Sequence, residues 1–382
     1  MTEVLKDIRV VELGTMITAP LAGMILADFG ADVVKVERPD GGDPFRSFRG
    51  GLYSPHFVAF NRNKRSVALD LQTEAGKASL GALLATADVL IDNYRTGVME
   101  RLGLSAQFLQ AEYPKLIWCS ITGFGADGPY AGRPAYDAVA GALSGLASVM
   151  LDPETPQASG PTISDNVTGM YAASGILGAL YEREKTGRGR RIETNMLEAA
   201  VSFVPDAFSN YTRMQIDNLP RTRVATSQSY AFKCSDGKLL ALHLSSPQKF
   251  WESLVDVIER PELKTDERFA TRDGRVRNYA ILEKELAAAI GLKGRSYWMV
   301  KLDIADVPFA PVQTVPEVLD DPQIKHLSTF YQQTHPTEGP LTLIHRPILI
   351  DGSREVHSRP PPTLGEHTEE VLRELEPHLA GH

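Results

Sequence analysis

The chain has 382 residues, of which 43% are hydrophobic, so it can fill more than one ordinary core and is expected to form two domains. Forty Lys plus Arg against 48 Asp plus Glu leave a net charge of −8, which gives no global attraction to nucleic acid or to an anionic membrane. Two distant cysteines, no apolar run of membrane-spanning length and an opening (Met1 to Asp7) unlike a signal peptide point to a reduced, cytoplasmic, membrane-free protein.

Ile8 to Leu13 reads as a buried strand and Pro20 to Phe29 as the helix that follows, stopped by Gly30. Val33 to Val36 is a second strand. Arg38 to Gly51 is a loop too polar and glycine-rich for a core. Val67 to Leu71 reads as a third strand, Glu74 to Ala85 as a helix, Val89 to Ile91 as a strand, Ser105 to Glu112 as a helix and Leu116 to Ile121 as a strand. This alternation predicts a layered α/β domain with a largely parallel sheet, whose binding loops lie at strand C-terminal ends, after Leu13, Val36, Ile91 and Ile121. Ala138 to Leu151 and Val167 to Tyr181 are helices of small residues, separated by a polar turn region from Asp152 to Gly160. A strand from Arg191 to Thr194 and a helix from Leu197 follow, then a polar crossing from Asn210 to Gln228. Tyr230 to Phe232 and Leu239 to Leu244, joined through Asp236-Gly237, form a hairpin. With helices at Gln248 to Ile258 and Tyr279 to Ala289 it makes a smaller α+β domain, ending within Val307 to Val318. A tail containing Leu341 to Ile350 closes on a helix from Thr368 to Leu379.

No Walker or dinucleotide glycine pattern occurs: Gly123-Phe124-Gly125-Ala126-Asp127-Gly128 reads as a tight loop. The nine histidines and two cysteines form no metal-ligand spacing, and no nucleophile elbow joins Ser, His and Asp. The basic residues fall at strand ends: Arg38, then Arg62, Lys64 and Arg65, then Arg95 and Arg101. They either surround phosphates in a cleft or pair with Glu37, Asp40, Asp43 and Asp70. Asp165 precedes the second small-residue helix. An isolated Asp there more often caps the helix than attacks an acyl group, and both roles are chemically open.

The segments Val10 to Leu13 with Ala19-Pro20, Gly30 to Glu37, Asn61 to Ser66, Asn93 to Leu104, Ile121 to Gly125 and Lys185 to Gly189 resemble, in order and spacing, the family III CoA-transferases. That group includes formyl-CoA:oxalate, carnitine and dicarboxylate CoA-transferases and the related α-methylacyl-CoA racemases. The resemblance covers nearly the whole chain. It implies an α/β fold with a Rossmann-like large domain built from residues 1–210 and a return segment 330–382, a small domain at 225–325, and a homodimer of interlocked rings. It also implies CoA and acyl-CoA as substrates, with no permanently bound cofactor and no metal.

Carried onto this sequence, the resemblance places CoA contacts at Ile17, Thr18, Arg38, Leu69, Asp70, Leu71, Gln72, Asn93, Tyr94, Arg95, Arg101, Pro134, Ala135, Tyr136 and Asp137. It makes Asp165 the nucleophile, which passes through an acyl anhydride and a CoA thioester. Three substitutions matter. Tyr136 stands where racemases carry a His base, and tyrosine is a poor base near neutral pH, so transfer is favoured over racemisation. Ile17 replaces the glutamine of the formyl-CoA:oxalate enzymes. His243 to Gln248 replaces their mobile polyglycine loop. The expectation is therefore CoA transfer from succinyl-CoA to a four- or five-carbon dicarboxylate, in an acyl pocket drawn from Tyr136, Ile17, His56, Arg46 and Arg49. A racemase, or a CoA-binding protein without turnover, are the alternatives.

Overall fold

The computed structural model describes residues 3–158, 160–354 and 358–376. Its contacts divide the chain into two units, one made of residues 1–147, 158–205 and 328–382, the other of residues 148–157 and 206–327.

In the first unit six parallel strands form one sheet: β1 (Arg9–Glu12), β2 (Asp32–Glu37), β3 (Lys64–Ala68), β4 (Val89–Asp92), β5 (Ile117–Thr122) and β6 (Arg191–Asn195). Their spatial order is β3-β2-β1-β4-β5-β6. The order reverses between β1 and β4, and the crevice at that switch point is where open α/β sheets bind ligands. The strands other than the edge strand β6 are buried on both faces. Val10, Val33, Ile91 and Cys119 pack under α1 (Thr18–Asp28), while Val11, Val34, Leu90 and Trp118 belong to the opposite core.

The connecting helices are α2 (Pro55–Phe60), α3 (Glu74–Ala85), α4 (Val98–Arg101), α5 (Ala106–Glu112), α6 (Asp137–Leu143), α7 (Ile163–Thr186) and α8 (Met196–Phe203). α7 packs lengthwise on α1. Gly169 makes this contact close: a Cβ there would stand 2.8 Å from the Thr18 carbonyl oxygen.

The second unit holds the three-stranded antiparallel sheet β7 (Ser229–Lys233), β8 (Leu239–His243) and β9 (Phe309–Pro311) around a core centred on Trp251, Phe269, Leu282 and Leu286. The chain then adds to the first unit the hairpin β10 (Phe330–His335) and β11 (Gly339–Ile344) and a helix over Thr368–Glu374. That helix packs on β3, with Val371 and Leu375 in the core.

Several expectations change. β3 starts at Lys64 and ends at Ala68, so Leu69 to Leu71 leave the sheet; Lys64 and Arg65 are strand residues, Lys64 paired with the buried Glu12 and Arg65 with the half-buried Asp32. The loop from Arg38 to Gly51 contributes to a core after all, since Phe45 packs with Ile17 and Phe57. Most of the crossing at Asn210 to Gln228 is helical, over Pro205–Met214 and Thr222–Ser227. Neither helix buries a residue in the single chain, although the first carries Phe208, Tyr211 and Met214 on an exposed apolar face. The small-residue helix over Ala138 to Leu151 is shorter, ending at Leu143. The closing helix was expected to run to Leu379, and its last three residues lie outside the described chain. No helix among the described residues is long and apolar enough to cross a membrane.

Candidate active site

The switch-point crevice carries its own foundation of buried charge. Lys35 Nζ donates to Glu12 Oε1 at 2.9 Å and to the Gly14 carbonyl at 2.7 Å, and pairs with Asp43 at 2.9 Å. Lys64 Nζ reaches the other Glu12 oxygen at 2.8 Å and donates to the Pro20 carbonyl. Burial alone would discharge Lys35, but the carboxylates of Glu12, Asp43 and Glu37 outweigh it and hold its pKa above the usual lysine range. For Lys64 burial wins, and the pKa is pushed down to about 8. The network shapes the β1–α1 loop directly. Both Asp43 carboxylate oxygens accept from the Met16 N–H at 3.1 Å, holding Met16 at φ 65°, a left-handed conformation uncommon for non-glycine residues. Asn93, just after β4, clasps the same loop. It accepts from the Thr15 N–H at 2.9 Å and donates to the Thr15 carbonyl at 2.8 Å and to Thr18 Oγ1 at 2.9 Å.

Above this base lies a cavity of about 380 Å³. The β1–α1 loop supplies Thr15, Met16, Ile17 and Thr18. The segment after β4 supplies Asn93 to Thr96, Val98 and Arg101. Ile121 to Gly123 come from the end of β5, Met196 from α8, Ala131, Arg133, Ala135 and Tyr136 from the approach to α6, and Asp165 from α7. Gly123 permits the β5 end and the α6 approach to touch: a Cβ there would sit 2.2 Å from the Ala135 Cβ.

Asp165 is in the first turn of α7 rather than ahead of it, because Thr162 takes the cap position. The Asp165 N–H donates to Asp137 Oδ1 at 3.2 Å, so the carboxylate of Asp137 serves a free amide of this helix start. The Asp165 carboxylate accepts no hydrogen bond from the described residues, which leaves its oxygens open to the cavity. Burial, with the Asp137 charge adding to it, pushes its pKa up to about 7. Asp92 is also raised, to about 6, chiefly by burial, but its oxygens are occupied by Trp118 Nε1 at 2.6 Å and the Tyr94 N–H at 3.2 Å. Among the described residues only the Asp165 carboxylate combines a raised pKa with a place on this cavity.

Of the residues singled out in the sequence, Ile17, Thr18, Asn93, Tyr94, Arg95, Arg101, Ala135, Tyr136 and Asp165 line the cavity together. Tyr136 is 59% exposed, so it is no core aromatic. Asp137 stands behind Asp165, and Pro134 is exposed beside the lining. Arg38 is exposed close to Tyr94: burial raises the pKa of that hydroxyl, and the charges of Lys35 and Arg38 oppose the shift. Leu69 is buried in the core, while Asp70 and its neighbour Gln72 form a turn through the Gln72 N–H. Leu71 lines a separate groove of about 160 Å³ with Leu80, Leu102 and Leu104. α4 borders both spaces, with Arg101 on the cavity and the adjoining Leu102 on the groove.

Three expected acyl-pocket residues are absent from the lining. Arg46 is fully buried and makes a two-pronged pair with Glu37, Nε to Oε1 at 2.8 Å and Nη2 to Oε2 at 2.6 Å, with its guanidinium 3.7 Å from the centre of the Phe57 ring. It is thereby committed to the fold. Arg49 is exposed, and His56 packs against Phe45 and Phe48 with Nδ1 lacking a partner. Arg62, Lys64 and Arg65 form no phosphate cluster either: they pair with Asp28, Glu12 and Asp32, rather than the partners suggested by the sequence. Sequence reasoning missed Thr15, Met16, Arg133 and Met196, none of which sits in a residue pattern that signals chemistry. Among the described residues no cluster of His, Cys, Asp and Glu is placed to hold a metal.

The profile of CoA-transferase family III matches residues 5–368. The succinyl-CoA:glutarate CoA-transferase of Homo sapiens is 32% identical over 381 residues, covering 97% of this chain and 86% of that protein. The succinate–glutarate CoA-transferase of Agrobacterium fabrum is 32% identical over 387 residues, covering 97% and 96%. The crystal structure of a CAIB/BAIF family protein from Brucella suis superimposes with a TM-score of 0.86 at 30% identity, over 98% of this chain and all of that one. The chain belongs to CoA-transferase family III and is a CoA-transferase acting on acyl-CoA and carboxylate substrates.

Proposed function

We propose that the protein moves CoA from succinyl-CoA to a four- or five-carbon dicarboxylate through covalent intermediates on Asp165. The observation that carries this reading is the Asp165 carboxylate, open to a cavity whose cations, Arg95, Arg101 and Arg133, have no carboxylate partner among the described residues. An anionic substrate supplies the missing partners. The succinyl-CoA:glutarate and succinate–glutarate CoA-transferase activities of two relatives support the choice of acids.

In the first step an Asp165 oxygen attacks the thioester carbonyl. The carbon–sulfur bond breaks, leaving a mixed anhydride and CoA thiolate. The thiolate attacks the aspartyl carbonyl, expels the donor acid and leaves CoA on Asp165 as a thioester. An acceptor carboxylate attacks that thioester and releases the thiolate, which takes the acceptor acyl group from the second anhydride and frees Asp165. No net proton or electron is exchanged. The first turn of α7 presents amide donors near the reacting carbonyl, and its dipole favours the negative charge of the attacking group. CoA itself would run from this cavity past α4, with Arg101 and Arg38 at its phosphates and Leu71 and Leu102 near its nucleotide end. The exposed apolar residues Met170, Tyr171 and Tyr181 of α7 and Phe203 of α8 support burial of these helices in a homodimer.

Labelled succinyl-CoA with a panel of free acids tests the reading. CoA exchange that depends on the acid, together with a CoA adduct at Asp165 seen by mass spectrometry and lost in Asp165→Ala, is the expected result. Exchange without any adduct would overturn the covalent route. Deuterium entry at the α-carbon without CoA exchange would select racemisation instead, against the tyrosine at position 136.

A further inference from the structure

We propose that Arg133 receives the second carboxylate of a dicarboxyl substrate and so makes the enzyme selective for dicarboxylic over monocarboxylic acyl groups. This rests on the CoA-transfer reading and identifies the specificity element of the same cavity. The sequence offered Arg46, Arg49 and His56 for this task. The fold commits Arg46 to Glu37 and leaves all three off the cavity lining.

Arg133 is situated differently. It lines the cavity with Asp165, and no carboxylate of the described residues pairs with it. Its guanidinium lies 4.7 Å from the centre of the Tyr130 ring and 6.0 Å from that of Phe124. Aromatic rings hold a guanidinium through its face, which leaves the N–H fork at its edge free for a carboxylate. The placement is fixed through the backbone as well. The Arg133 N–H donates to the Tyr130 carbonyl at 3.0 Å, and four residues later Asp137 grips the Asp165 amide. The same short segment therefore carries the cation and anchors the nucleophile.

The dimensions suit the role. A five-carbon diacid places its end carbons ~5 Å apart, from single bonds of about 1.5 Å. Asp165 and Arg133 border the same cavity of about 380 Å³, which has room for such an acid. Arg95 and Arg101 come from a different segment, the one leading to the Leu102 groove, and are available to the phosphates of CoA.

The test measures binding where no turnover can interfere. In Asp165→Asn protein, dissociation constants are determined for succinyl-CoA and for butyryl-CoA, which has the same carbon count without the distal carboxylate, with and without the added change Arg133→Leu. Loss of a charge-assisted, two-pronged contact is expected to reduce the preference for succinyl-CoA by ~10-fold or more. Arg133→Lys, which keeps the charge and loses the fork, is expected to retain part of it and to separate loss of the contact from a folding defect. An unchanged preference would overturn the assignment, whether because both ligands weaken equally, as expected if Arg133 holds CoA, or because neither weakens. In parallel, wild-type protein that exchanges CoA with no acid would overturn the transfer reading and this inference with it. Exchange that proceeds equally well with mono- and dicarboxylic acids would overturn this inference alone.

Discussion

At the scale of single residues, Asp165 and the Asp137 behind it are expected to govern pH dependence. On the proposed route Asp165 must be ionised to attack, and burial with the nearby Asp137 charge pushes its pKa up to about 7. The acid limb of kcat/KM for the acyl-CoA, which reports the free enzyme, is therefore expected near pH 7. Asp137→Asn removes the like charge while its side-chain oxygen can still accept from the Asp165 N–H, so the limb should move to lower pH. A pH–rate profile of the two proteins checks this; an unmoved limb would show that burial alone sets the value. The effect on stability is opposite to that of an ion-paired carboxylate. The Asp165 contribution is fully present below the unperturbed value of 3.8 and is lost as pH rises through about 7. The sequence exposed Asp165, Tyr136, Arg95 and Arg101 through their resemblance to family positions. It hid the fate of Arg46, whose partner Glu37 sits on the preceding strand, and it gave no sign of Arg133, whose surroundings of Phe124 and Tyr130 form only in the folded chain.

At the scale of elements, the first unit depends on charge buried where strands usually end. Glu12, Lys35 and Lys64 have no exposed side-chain surface, and Lys35 alone bridges two carboxylates and a loop carbonyl. Lys35→Met leaves Glu12 and Asp43 short of a buried partner and should destabilise the fold by roughly 3–5 kcal/mol, read as a lower denaturation midpoint in urea. Because Asp43 also holds Met16, the variant should lose affinity for CoA while still folded at low temperature. The strands β1, β2, β4 and β5 were legible because their runs are apolar and bounded by helices. β3 was misplaced because Lys64 and Arg65, charged residues in strand positions, read as loop until their partners are known. The start of α7 was obscured for a related reason: Ser164-Asp165-Asn166 has the composition of a cap, but Thr162 occupies that place.

For the whole molecule, a layered and largely parallel sheet was legible from alternating strands and helices, whereas its strand order and the helices at Pro205–Met214 and Thr222–Ser227 did not show in the pattern. The first of these helices has an apolar face, Phe208, Tyr211 and Met214, that is exposed in the single chain and is hidden in the sequence by the polar residues around it. Such surfaces, with the exposed Met170, Tyr171 and Tyr181 of α7, are what an obligate partner covers. Light scattering on the purified protein should therefore give twice the 41.8 kDa of one chain, without dissociation on dilution to nanomolar concentration. A monomer mass with full activity would remove the homodimer from the proposed function.

The bond between Asp137 and the amide of Asp165 has an energetic consequence for the covalent cycle. Two carboxylates are held close together by a contact that also positions the helix turn. Their repulsion favours any state in which Asp165 is neutral, and a proton is only one way to reach it. On the proposed covalent route an acyl anhydride or a CoA thioester on Asp165 would neutralise the same oxygen, so the burial and the Asp137 charge that raise the pKa would also lower the cost of those intermediates. On that route Asp137 would act as a spring, compressed in the free enzyme and relaxed whenever Asp165 carries its cargo.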